Sequence, residues 1–126
     1  MTGPGTERAA RVGERIRQEL MGLLLRGVVK DPGVQGAVVH GVDVSADLAF
    51  ARVYVRLTDP DASRGRREAL LRGLGRARGF LRAQLGRRLQ TRVTPELRFV
   101  WDDTTERATR IETILSELRA ERAEEE

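Results

Sequence analysis

The densest chemistry in this sequence is cationic. Between Arg64 and Arg92 stand ten arginines and a single acid, Glu68. A guanidinium stays charged at any physiological pH and presents a planar fork of N–H donors that matches phosphate oxygens, so such a run is the electrostatic footprint expected for a polyanion partner. Its bland counterpart is a solvated helical face, and 22 of the 23 basic residues are arginine, which base composition also favours. From Asp102 to Glu126 the balance reverses, with nine acids against four arginines, so the net charge of +4 conceals a basic block followed by an acidic end. The residues placed to meet phosphates are Arg72, Arg76, Arg78, Arg82, Arg87, Arg88 and Arg92.

Other chemistry is sparse. There is no cysteine, hence no disulfide frame, thiol nucleophile or cysteine-held metal, and the expected compartment is the cytoplasm. The single histidine, His40, shares a strand face with Val38, Val42 and Val44 if that strand is regular, which makes it a core or edge residue rather than a general base. No serine nucleophile accompanies it, and Asp102 and Asp103 read as the end of a strand and the start of a helix. Phe50, Tyr54, Phe80, Phe99 and Trp101 have faces on which bases can stack, but their placement on periodic segments favours packing. Recognition would then rest on the phosphates and shape of a polyanion. No enzymatic activity, cofactor, metal or small-molecule substrate is expected. The first ten residues lack a signal-peptide core and no apolar run is long enough to span a membrane, so no membrane partner is expected either.

The elements that must position the arginines follow from periodicity. Val12, Ile16, Leu20, Leu23 and Leu24 recur at helical spacing and predict a helix over 7–26, closed near Gly27. Asp31-Pro32 with Gly27, Gly33 and Gly36 is turn chemistry. Strands follow over 37–44 and 48–57, joined by Ser45-Ala46-Asp47 as a hairpin. In the second, Ala49, Ala51, Val53, Val55 and Leu57 form one face and Leu48, Phe50, Arg52, Tyr54 and Arg56 the other, a contrast that fits a sheet covered on one side. Leu97, Phe99 and Trp101 alternate as a third strand. Asp103 opens a last helix, capped with Glu106 and striped by Ala108, Ile111, Leu115 and Leu118. The domain reading is a disordered start at 1–6, one domain at 7–102 that carries the basic block, a helix at 103–119 and a frayed acidic tail at 120–126.

The basic region itself raises a difficulty of length. Leu70, Leu74, Ala77, Leu81 and Leu85 share one helical stripe, yet 27 residues from Arg64 to Gln90 would extend about 40 Å, more than the roughly 30 Å of a small domain. Gly73, Gly75 and Gly79 weaken the middle by roughly 1 kcal/mol each relative to alanine, which points to a corner there. The resulting α+β order, α-β-β-α-kink-α-β with a three-stranded sheet and a C-terminal helix, is that of a type II KH domain, although no Gly-x-x-Gly separates its two central helices.

At this level of detail the chain resembles the ribosome-binding factor A family. The likeness is carried by RVGERIRQEL, VVKDP, VSADLAFARVYV, the helices around ARG and LRAQLGRRL, TPELRFVWDDT and RIETILSEL, in order from about residue 8 to 118. The resemblance implies an Ala-x-Gly kink in place of the KH loop, matched by Ala77-Arg78-Gly79, so Ala77 and Gly79 join the candidate RNA-binding residues. It further implies a monomeric, non-catalytic factor that binds the free small (30S) ribosomal subunit and assists late maturation of 16S rRNA, including its 5′ end, with importance in cold adaptation. An arginine would be expected where Gly33 stands, which predicts a missing peripheral contact. A competing class is an α+β module whose basic helices bind an acidic protein.

Overall fold

The computed structural model describes the backbone of residues 4–125 and the side chains of 7–104 and 112–124. The order is α1 (Pro4–Leu25), a short 3-10 turn (Pro32–Val34), β1 (Ala37–Val44), β2 (Phe50–Leu57), α2 (Arg64–Arg88), β3 (Glu96–Trp101) and α3 (Thr104–Glu125). The three strands form one mixed sheet in the order β1-β2-β3. The β1–β2 pair is antiparallel and the β2–β3 pair parallel, with α2 as the crossover between them. The expected fold class, an α+β architecture with helices on one face of a three-stranded sheet, holds.

The core explains the layering. From α1 come Ile16, Leu20 and Leu23, from α2 Leu70, Leu74, Leu81 and Leu85, and from the sheet Val39, Ala51, Val53, Val55 and Leu97, all in one cluster. Burial of each large aliphatic side chain contributes about 1.5–3 kcal/mol, so the two helical stripes and the alternate strand positions fix one another. Phe99 and Trp101 pack on the same cluster, as their alternation predicts. Phe50 and Phe80 do not, at 43% and 46% exposed, which corrects their assignment to the core.

Four other expectations change. First, β1 carries a bulge between Val39 and Gly41, so one residue is inserted before Val42 and the alternation shifts phase. Val39 is buried and Val42 and Val44 pack on the core, while His40 leaves that face, with 59% of its side chain exposed. Second, the hairpin loop is longer than three residues. The Ser45 amide donates to the Phe50 carbonyl at 2.9 Å, and β2 begins at Phe50 after Leu48 turns through a left-handed φ of 61°. Third, α1 starts at Pro4 and α3 continues to Glu125, so residues 4–6 and 120–125, expected to be disordered, are helical. Residues 1–3 and the side chains of Glu106, Ala108 and Ile111 lie outside the described set. Leu115 and Leu118 of the expected α3 stripe are exposed at 43% and 54%.

The fourth concerns α2, which is one helix of 25 residues and not two meeting at a corner. Its secondary structure passes through Ala77-Arg78-Gly79 without a break, and Gly79 has no positive φ. The length difficulty dissolves because only the stretch from Leu70 to Leu85 contributes the buried leucines, and both ends of the helix run past them. Ser63 caps the start, its hydroxyl accepting the Arg66 amide at 3.1 Å.

Candidate nucleic-acid interface

Helical spacing places the arginines of α2 on two flanks. Arg72 and Arg76 lie one turn apart on one, and Arg78 and Arg82 on the other, while the stripe from Leu70 to Leu85 faces the sheet. The two flanks meet different neighbours. Arg76 donates from Nε and Nη2 to the Asp31 carboxylate at 2.9 and 2.6 Å. Arg82 donates from the same pair of nitrogens to the Thr94 carbonyl at 3.2 and 2.9 Å. Both guanidinium groups therefore already have protein acceptors, although both residues are exposed.

The remaining candidates divide similarly. Arg72 has only Glu68 at 4.0 Å, and Arg88 only Glu19 at 3.6 Å, among the described residues. Arg78, Arg87 and Arg92 are exposed and make no hydrogen bond or ion pair among the described residues. Ala77 is half-buried against the core, whereas Gly79 is exposed and a Cβ added there would meet nothing within 4 Å. The triplet is thus an open stretch within one continuous helix, with no positive φ at Gly79 and with Arg78 exposed.

Close approach occurs instead at the 3-10 turn. A Cβ on Gly33 would stand 2.6 Å from the Ala69 carbonyl oxygen, and one on Gly73 would stand 2.9 Å from the Val34 side chain. Glycine at both positions lets the turn lie directly on α2. The Gly33 amide donates to Asp31 at 2.9 Å, and Arg66 donates to the Gly33 carbonyl at 2.6 Å and to the Gln35 carbonyl. Gly33, read from the sequence as a lost contact, is therefore a packing requirement. The Arg76 hydrogen bonds, then the Gly33 amide, hold the Asp31 carboxyl below its usual range.

A second cluster, which no periodicity marks, lies on the uncovered sheet face. His40 Nδ1 bonds Asp102 Oδ2, and Asp102, only 4% exposed, also accepts the Thr104 amide at 3.0 Å. Burial alone would raise the Asp102 pKa, but hydrogen bonds from Thr104 and His40 outweigh it and the carboxyl titrates below its ordinary range. Nearby, the Tyr54 hydroxyl donates to Asp43 at 3.0 Å and Arg98 stacks on Phe50 at 4.7 Å. No group of histidine, cysteine, aspartate or glutamate that could hold a metal ion is present among the described residues. The one sequence signal for this cluster was the singularity of His40, since pairing across 62 residues leaves no periodic trace.

With this geometry in place, residues 8–115 match the family model for Ribosome-binding factor A. The chain belongs to the ribosome-binding factor A family. A ribosome-binding factor A from Gloeobacter violaceus is 40% identical over 119 residues, which are 92% of this chain and 89% of that protein. The crystal structure of ribosome-binding factor A from Thermus thermophilus superposes with a TM-score of 0.60 at 28% identity, covering 73% of this chain and 93% of that one. A homology model of the Thermus thermophilus protein, fitted into a cryo-EM map of a 30S–RbfA complex, gives a TM-score of 0.57 at 28% identity over 71% of this chain and 90% of that one. Among the described residues no helix is long and apolar enough to cross a membrane.

Proposed function

We propose that this chain binds the free 30S subunit as a monomer in the cytoplasm and assists late maturation of 16S rRNA, including its 5′ end, with importance in cold adaptation. The observation that carries this reading is the exposed cationic surface of α2 and its following link, set in a fold that matches a relative fitted into a 30S complex. Arg72, Arg78, Arg87, Arg88 and Arg92 serve as the phosphate contacts, and Ala77 and Gly79 leave the helix surface around Arg78 open to the RNA backbone. Arg76 and Arg82 have their donors directed to Asp31 and Thr94 and contribute charge at longer range. The action is non-catalytic: by binding one rRNA conformation more tightly than its alternatives, the protein shifts the population toward that conformation, by no more than the difference in affinity.

Co-sedimentation with purified free 30S subunits, mature 70S ribosomes and protein-free 16S rRNA tests the proposal. Retention by free 30S subunits that weakens steeply with rising salt is the expected result. Binding to an acidic protein in preference to the subunit, or a response flat in salt, would overturn it.

A further inference from the structure

A second basic surface lies away from the middle of α2, where the N-terminal half of α1 meets the end of α2 and the link to β3. Arg8, Arg11, Arg15 and Arg88 line one open cleft over a floor that includes Val12 and Leu89. The α1 members are three and four residues apart, so they share one helical face. One carboxylate faces two of these cations: Glu19 accepts from Arg15 at 3.1 Å and lies 3.6 Å from Arg88. Of the other acids of α1, Glu14 is turned to Arg17, with Nη2 to Oε1 at 2.5 Å, and Glu7, which precedes Arg8, forms no ion pair with a described residue. Arg8 and Arg11 pair with no described carboxylate.

We propose that this cleft is a second RNA-backbone site, built by Arg8, Arg11 and Arg15 of α1 and meeting the α2 surface at Arg88, and resting on the reading that the partner is small-subunit RNA. Four neighbouring cations, two of them on one shared carboxylate and two with no described carboxylate partner, repel one another, and an incoming polyanion relieves that repulsion. Arginine supplies the forked donors that bind phosphate oxygens in pairs. The cleft is open rather than enclosed, and Arg87 and Arg92 stand exposed on the adjoining last turn and link, which suits a run of phosphates passing across the end of the molecule. An RNA strand held there and on α2 together would be gripped at two places on one protein.

The test uses the full chain, free 30S subunits and a short RNA duplex, each titrated over a salt series with wild type, Arg8→Gln/Arg11→Gln and Arg8→Lys/Arg11→Lys. The glutamine pair should bind both probes several-fold more weakly, with the slope of log affinity against log salt reduced by about one per lost phosphate contact. The lysine pair, which keeps the charge, should stay close to wild type. An unchanged slope and affinity in the glutamine pair overturn the cleft. A loss confined to the subunit, with duplex binding intact, assigns the cleft to an acidic protein surface and overturns the RNA assignment. Competition by inorganic phosphate at constant ionic strength assigns it to a small anion, with the same consequence. If wild type ignores 30S subunits yet binds duplex with the expected slope change, the subunit reading falls and the cleft stands; if it binds neither, both fall. Melting temperatures of the variants at or above wild type exclude misfolding.

Discussion

The flank of α2 that lies on the 3-10 turn and the end of α2 that meets α1 are both rich in arginine, yet they use it differently. On the turn side Arg66 and Arg76 are directed to the carbonyls of Gly33 and Gln35 and to Asp31, and two glycines bring the backbones together. At the α1 end Arg15 and Arg88 share Glu19, while Arg8 and Arg11 pair with no described carboxylate. The first arrangement is self-satisfied and holds the fold; the second leaves charge for something else. An arginine count therefore measures the reach of the field but not the number of available contacts, because each guanidinium is either engaged inside the protein or presented by it.

The strongest way to break this contrast is to disturb the turn side. Gly33→Val sets a Cβ 2.6 Å from the Ala69 carbonyl and should destabilise by about 2–3 kcal/mol, because backbone must move to admit it. A lowered melting temperature with intact 30S binding in the cold is the expected pattern; an unchanged melting temperature would mean the turn does not rest on α2 as described. Next in size is Asp102→Ala. It leaves the Thr104 amide and His40 without their acceptor, at a cost of about 1–3 kcal/mol. The Asp102 pKa is depressed from its ordinary value of 3.8, so its contribution is fully present above that pH and is lost as pH falls through the lower folded value. Acid titration should show the gap between wild type and Asp102→Ala narrowing as pH falls below 3.8.

Gly79→Ala tests the middle of α2, which belongs to neither region. With open space around its Cβ and a helical backbone, alanine should stabilise by up to about 1 kcal/mol. A loss of stability would restore the strained corner that the sequence suggests. The smallest effect is that of Arg76→Gln, since its guanidinium is exposed and its carboxylate partner is solvated. The melting temperature should fall slightly at neutral pH. Because the Asp31 pKa is lowered, that difference should vanish as pH drops below the ordinary carboxylate range, and an equal difference in acid would show that Asp31 is not the partner in solution.

Most elements were legible because burial writes a period into the chain. Ile16, Leu20 and Leu23 mark α1, the alternation from Ala51 to Leu57 marks β2, and Leu97, Phe99 and Trp101 mark β3. Errors arose where a local event broke the period without changing composition. The bulge after Val39 costs one residue of phase and carries His40 off the valine face, and no residue type announces it. At Gly79 the opposite happened: glycine suggested a break, but leucines on either side, Leu74 and Leu81, hold the helix to the core through it. Of the candidate interface, the basic block was plain, whereas the allocation of each arginine was not. That allocation depends on Asp31 and Thr94, distant in sequence from the cations they receive. Arg8, Arg11 and Arg15 are harder to read as a site because the helix that carries them shows first as an apolar stripe.

The bond from His40 to Asp102 joins β1 to the residue after β3, and so reaches over the strand between them. In folding terms it is a late latch. The β1–β2 hairpin and α1 are near one another in sequence and can assemble early, whereas β3 reaches its parallel partner only after the whole of α2 has crossed the sheet. The latch can close only when that last strand is in place, because Asp102 directly follows β3. The pairing of β3 with β2 and the burial of Leu97 hold that strand, and the histidine–carboxylate contact adds a tie from its end to the far edge of the sheet.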